Sequence, residues 1–195
     1  MLDKSVPFLN ILMCRPPEAE LPLFELPEGY AFSMFQPGDE KEWAEIEASV
    51  LEFPRGVDAL VHFEKRFLYA PHELERRCLF IEDPQGKKIA TATIWWEYSG
   101  KRRDPWVSYV AVIPQYQGLG LSKALMSRLL QLSEEIEGKR KIYLHTQTWS
   151  HRAVKLYEKF GFYITKEPNL FKYANDQYEQ ATALLEEIYS KYPRR

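Results

Sequence analysis

Residues 106–123 read WVSYVAVIPQYQGLGLSK, and they hold the strongest chemical signal in the chain. A run of strand-forming residues meets Pro114, and the segment Gln117-Gly118-Leu119-Gly120-Leu121-Ser122 then opens a helix. The first N–H groups of a helix have no partner inside it, and the peptide dipoles place partial positive charge there. Glycines let such a backbone approach an anion closely, so a diphosphate fits the site. The charge pattern agrees. Helices favour Asp and Glu in the first turn, yet no acid occurs from Val110 to Ser133, and the first is Glu134. The spacing is not the GxGxxG of dinucleotide sites, and no acid ends a following strand about 20 residues on. Nor does the Gly-Lys-Ser/Thr of a nucleotide-binding P-loop follow. On this stretch alone, a tight strand-to-helix connection in which glycine only permits close packing would read the same way.

The elements that must position the loop follow from hydrophobic period and turn chemistry. Residues 30–36 make a first strand. Pro37-Gly38-Asp39 opens a helix with Trp43, Ile46 and Val50 at helical spacing, and Asp58 caps a second helix carrying Leu60, Phe63 and Phe67. A hairpin joins strands at 78–82 and 88–98 through Asp83-Pro84-Gln85-Gly86. Residues 99–105 read as a polar turn and 106–113 as another strand, stopped by Pro114. A long helix from about 118 to 137 follows the apolar stripe Leu121, Leu125, Leu129, Leu132 and Ile136. After a strand at 141–148, Ser150 caps a helix whose inner face is Ala153, Leu156, Tyr157 and Phe160, and Gly161 ends it. A strand pair at 162–165 and 170–173 and an amphipathic helix at 176–192 complete the order. Hairpins and βαβ crossovers together imply an α/β fold with a mixed central sheet flanked by helices.

Residues 1–29 are set apart by Pro16-Pro17, Pro22 and Pro27 and read as an extension packed on the domain, with a strand at 8–13. The expected organisation is an N-terminal extension at 1–29, one domain at 30–174 and an extra C-terminal helix at 175–195.

Composition limits the function classes. The 195 residues, 45% apolar and 28% charged, suit a globular domain with a substantial core. The net charge of −2 calls for neither nucleic acid nor an anionic membrane surface. The runs Lys101-Arg102-Arg103 and Lys139-Arg140-Lys141 read as solvated loop charge. Cys14 and Cys78 are far apart, and two lone thiols fit a reducing cytoplasm. No CxxC or HExxH spacing suggests a metal. The apolar stretch 6–13 makes a poor signal peptide, and nothing approaches the roughly 20 apolar residues of a membrane span.

Two segments resemble the GNAT acetyltransferases. The family's central motif is an apolar-Ala-Val strand end, Pro, then Gln/Arg-x-x-Gly-x-Gly/Ala at a helix start. Here it reads Val110-Ala111-Val112-Ile113-Pro114-Gln115-Tyr116, then Gln117-Gly118-Leu119-Gly120-Leu121-Ser122. The second motif, Asn-x-x-Ala-x-x-Leu-Tyr-Glu-x-x-Gly-Phe, reads here as Ser150 through Ala153, Leu156-Tyr157-Glu158, and Gly161-Phe162. The resemblance is sharp over about 106–165, looser over 30–98, and absent from 1–29 and the final helix. It implies a GNAT fold and acetyl-CoA as acyl donor. It also implies that the backbone of Val110, Ala111 and Val112 pairs with the pantetheine arm, as an added strand would. The N–H groups of Gly118, Leu119, Gly120, Leu121, Ser122 and Lys123 would hold the pyrophosphate beside Gln117. Tyr157 would protonate the departing thiolate. Ser122 replaces the usual Gly or Ala and stays small. Ser150 replaces the usual Asn, which leaves a side-chain contact to the cofactor open.

Amine acetylation needs a neutral amine, an aligned thioester and help for the leaving group. Read from spacing alone, Tyr157 is equally a core aromatic paired with Phe160. Family members often carry a carboxylate or His on the strand before the motif, where this chain has Trp106, Ser108 and Tyr109, none a good base. Glu97 follows Trp95 and Trp96, and apolar surroundings would raise its pKa toward a useful value; a carboxylate facing water or pairing with Arg102 is the alternative. His145 reads as a hydrogen-bonded structural residue and His151 as exposed. By resemblance, 48–71 and 95–103 line the acceptor pocket, and Phe53, Phe63, Phe67, Trp95 and Trp96 there suit an apolar or aromatic amine or simply a core.

The leading expectation is acetyl transfer to a small or peptide amine. The alternatives are an acyl-CoA-binding module with little catalysis and a protein N-terminal or lysine acetyltransferase. Residues 1–29 and the last helix would cover a sheet edge or form a homodimer contact.

Overall fold

A computed structural model describes residues 2–167 and 174–191. Their strands form a mixed seven-stranded sheet in the order β2-β3-β4-β5-β6-β1-β7, flanked by helices. The described residues divide into two compact units, one of 21–95 and 107–138, the other of 2–20, 96–106, 139–167 and 174–191.

In the first unit, β2 (Ala31–Met34), β3 (Cys78–Glu82) and β4 (Lys88–Ser99) pair antiparallel, with Ser33 opposite Phe80 and Cys78 opposite Thr93. Cys78 through Ile81 are all buried, as an unbroken apolar strand covered on both faces must be. The helices are α1 (Glu40–Ser49), α2 (Gly56–Phe67), a short α3 (Pro71–Glu75) and α4 (Leu121–Glu137). α1 packs on α2 and α4 on β3. An aromatic core of Phe35, Trp43, Phe63, Phe67 and Trp95 fills the space between them. Asp58 does not cap α2. The helix begins two residues earlier, Arg55 is its N-cap, and the Asp58 carboxylate is held by the Arg55 guanidinium instead. Val50, expected on the inner face of α1, is the C-cap; the buried polar residue on that face is Glu47. Helix α3 was not anticipated from sequence. Pro71 at its first position supplies the start, and its Glu73 binds the buried Arg77, which also reaches Glu137 at the end of α4, 2.8 Å away.

In the second unit, β6 (Ile142–Gln147) pairs antiparallel with β1 (Asn10–Arg15), which pairs in turn with β7 (Tyr163–Ile164). The N-terminal strand thus lies at 10–15 rather than 8–13. The buried Arg15 side chain fixes it by donating from Nε to the Phe160 carbonyl, 2.8 Å away. Helices α5 (His151–Lys159) and α6 (Tyr178–Lys191) complete this unit, and α6 packs on β1. Gly161, at φ +82°, closes α5: Gly161 N–H donates to Glu158 O and Phe162 N–H to Tyr157 O, a Schellman end.

The expected polar turn at 99–105 is mostly strand. β5 runs Arg102–Val112, so only the tight turn at Gly100 and Lys101 separates it from β4. Arg102 and Arg140 neutralise Asp104, which is why an acid is tolerated at 6% exposure there. The expected strand at 170–173 lies outside the described residues.

Candidate active site

The loop singled out in the sequence belongs wholly to the first unit. β5 ends at Val112, and a 3₁₀ turn over Pro114–Tyr116 leads to Gln117. Two side chains fasten this approach. The Tyr116 hydroxyl donates to Asp83 Oδ2 at 2.6 Å, and Gln117 Nε2 donates to the Val112 carbonyl at 2.8 Å. The Tyr116 hydroxyl and the Lys87 and Gln85 N–H groups hold the Asp83 carboxyl below its ordinary pKa, because each bond favours the charged form.

Gly118 and Gly120 both have left-handed backbones, at φ +88° and +83°, and Gly120 is the N-cap of α4. A Cβ on either would meet nothing within 4 Å, so the backbone conformation, not crowding, requires glycine there. The first turn of α4 carries no acid. Its Lys123 and Ala124 N–H groups close on the Gly120 carbonyl, at 2.9 and 3.3 Å, and Leu121 is buried against the core. Leu119, between the two glycines, is 49% exposed. The Lys123 side chain folds back over the Phe24 ring, and Ser127, one turn on, accepts from Phe24 N–H and donates to the Pro22 carbonyl. Residues 21–24 are thereby fastened to α4.

Along β5, Asp104 to Val107 are buried, Ser108 to Val110 half-buried, and Ala111 and Val112 buried again. The break coincides with Tyr109, whose φ of +53° makes a local kink of the kind that re-aims a side chain. Its hydroxyl lies 2.5 Å from His62 Nε2 on α2. Around the pair stand Phe53, stacked on Tyr109 with centroids 6.3 Å apart, and the fully buried Trp43, edge-on at 5.0 Å. Sequence reasoning missed this pair, since its members lie 47 residues apart. It missed Glu47 too, which is 2% exposed with no hydrogen-bond partner for Oε1 among the described residues. Burial, and secondarily the nearby Glu52 charge, push its carboxyl well above the ordinary range. Of the aromatic residues expected at a pocket, Phe63, Phe67 and Trp95 are buried core, and Phe53 is half-buried.

The second motif lies in the second unit. Tyr157 is 7% exposed on α5 with its ring 6.0 Å from Phe162. Ser150 is the N-cap of α5 by position, but its side chain makes no capping bond. His151 is buried, not exposed as expected: Asp3 faces its ring, and Tyr189 of α6 donates to its carbonyl at 2.7 Å. His145 Nε2 is bonded to Asn10 Oδ1 at 2.9 Å, the structural role expected of it. Glu97 is half-buried on β4, and Arg102 is engaged by Asp104. Among the described residues no group of acids, histidines and cysteines could hold a metal, and no helix is long and apolar enough to cross a membrane.

The sequence pattern of the acetyltransferase (GNAT) family matches residues 34–162. The chain belongs to this family. Among curated relatives, the GNAT chain is 40% identical over 53 residues to a spermidine N(1)-acetyltransferase of Vibrio cholerae, covering 27% of this chain and 31% of the relative. It is 29% identical over 91 residues to an N-alpha-acetyltransferase of Sulfurisphaera tokodaii, covering 43% and 54%. The chain therefore spans 31% and 54% of the length of these two relatives. Among solved structures, a GCN5-related N-acetyltransferase from Sphaerobacter thermophilus superposes with a TM-score of 0.63 at 21% identity, over 80% of this chain and 48% of that one, a likeness of fold.

Proposed function

We propose that this GNAT chain transfers the acetyl group of acetyl-CoA to a primary amine, of a small molecule or a peptide, by direct attack of the amine on the thioester. The observation that carries the reading is the strand end Val110–Val112 leading through two left-handed glycines into an acid-free helix start. That backbone suits a diphosphate: its glycines leave the approach open, and no carboxylate opposes the charge. Gly118, Leu119, Gly120, Leu121 and Ser122 would hold the pyrophosphate, and Val110, Ala111 and Val112 would align the pantetheine arm. Acetyl-CoA supplies the activated acyl group; the chain supplies orientation, water exclusion and proton management. Tyr157 is assigned the proton that leaves with the thiolate. Tyr157 is nearly fully buried on α5, with its ring against Phe162.

The relatives named for spermidine and for N-terminal amines make a polyamine and a short peptide the first acceptors to test. Acetyl-CoA is expected to raise the melting temperature, and an amine panel is expected to release free CoA thiol. Absence of thermal protection sinks the assignment. Tyr157→Phe should lower turnover while leaving protection by acetyl-CoA intact; an unchanged rate removes Tyr157 from the mechanism. A second reading, an acyl-CoA-binding module, draws support from Ser108 and Tyr109 standing on β5 where a carboxylate or histidine is usual in the family. Protection without thiol release from any amine would favour it.

A further inference from the structure

Amines reach an enzyme largely as ammonium ions, and an ammonium cannot attack a thioester, so a proton must leave first. A lone tyrosine is a poor acceptor for it, with a pKa near 10, whereas imidazole near 6.5 is well matched. β5 joins the two chemistries. Tyr109 directly precedes Val110, its left-handed backbone kinks the strand at that point, and its hydroxyl meets His62 Nε2 at 2.5 Å. Left-handed backbone at a bulky residue costs about 1–3 kcal/mol and concentrates at functional sites. The other non-glycine residue in this conformation among those described is Leu51, φ +68°, two positions before Phe53, which packs on both Tyr109 and His62. Tyr109, His62 and Phe53 are half-buried, while Trp43, Phe63 and Phe67 beneath them are sealed. The pair is thus backed by apolar rings and reachable from solvent.

We infer that Tyr109 and His62 deprotonate the acceptor amine. This rests on the acetyl-transfer reading above. With the neutral imidazole carrying its hydrogen on Nδ1, the Tyr109 O–H donates to Nε2. The Tyr109 oxygen accepts a proton from the ammonium as its own proton passes to Nε2, giving a neutral amine, an intact tyrosine and an imidazolium. No electrons change hands, and the imidazolium later returns the proton to solvent. Tyr109 is the catalytic residue of the pair, because it meets the reacting nitrogen; His62 acts through it. On α1, which packs on α2, the buried titratable group is Glu47, with Glu52 beyond the end of that helix. On α2, Asp58 is tied to Arg55, and Arg66 lies over the Phe67 ring.

The test is kcat/KM against pH for the wild-type chain, Tyr109→Phe, His62→Gln and the double variant, using an amine that the wild type acetylates. Each single variant is expected to lose at least about tenfold near pH 7. The acid limb should move to higher pH, toward the amine's own pKa, so that the loss shrinks as pH rises. The double variant should lose no more than either single, with thermal protection by acetyl-CoA retained. A parallel measurement does not depend on turnover: the His62 ring, followed by NMR, should titrate at a different pH in Tyr109→Phe. An unmoved acid limb in His62→Gln, or an unmoved His62 titration, overturns the inference and leaves the proposed function standing. A wild-type chain that acetylates no amine overturns both.

Discussion

Placing an aspartate at position 122 should have opposite effects on the empty and the loaded chain. Ser122 is the second residue of α4 after the Gly120 cap, in a first turn that carries no acid. A carboxylate there meets the positive end of the helix dipole, a gain of about 0.3–1 kcal/mol. For a chain of this size that raises the melting temperature by roughly 1–4 °C. If the same turn holds the pyrophosphate, the new charge sits roughly 5 Å from another negative charge. At an effective dielectric of about 20 this repulsion is about 3 kcal/mol, and screening at a solvent-facing loop leaves about half, or about tenfold in affinity. Ser122→Asp should therefore melt higher without ligand and bind acetyl-CoA about tenfold more weakly by calorimetry. Ser122→Asn, of similar size and uncharged, should keep most of the affinity. The deficit should shrink between about 0.05 M and about 0.5 M salt, because screening removes it. Wild-type affinity in the aspartate variant would refute the anion-site reasoning, since a purely structural glycine turn is indifferent to that charge.

Gly161→Ala should be costly, because the backbone is left-handed at φ +82° and the added Cβ would lie 2.8 Å from that of Ala19. A loss of about 2 kcal/mol or more is expected in urea unfolding; a loss under about 0.5 kcal/mol would mean the α5 end relaxes freely. Glu47 is an acid whose folded pKa is raised, so the folded chain holds a proton that the unfolded chain gives up. Its contribution is complete below the unfolded value of about 4.3 and declines as pH rises toward the folded value. Glu47→Gln should therefore raise the melting temperature at pH 7 and change it little at pH 4; an equal shift at both would place the effect in packing rather than ionisation.

The conformation of the loop before α4 was legible in the sequence because its parts are local. Left-handed backbone at Gly118 and Gly120, the strand stop at Pro114 and the missing acids are properties of adjacent residues. The Schellman end at Gly161 and the inward stripe of α4 were legible for the same reason. The Arg102–Pro105 stretch was not, because its polarity is answered by Arg140, remote in the chain, and local composition cannot register that partner. His151 looked exposed for a related reason: α6, nearly 40 residues on, covers it. Glu47 sits at a position where helical spacing alone does not distinguish a solvated acid from a buried one until α1 is packed.

Read by itself, the sequence thus carried the family, the sheet-and-helix order and the glycine loop before α4, all of them written in contiguous residues. The acceptor side is a matter of tertiary packing. Tyr109 read as a poor base because a phenol alone is one, and 47 residues separate it from His62, the imidazole on which the proposed deprotonation depends. Folding α2 against β5 brings the two within a hydrogen bond, and that proximity depends on the packing of two elements, which no local run of residues encodes.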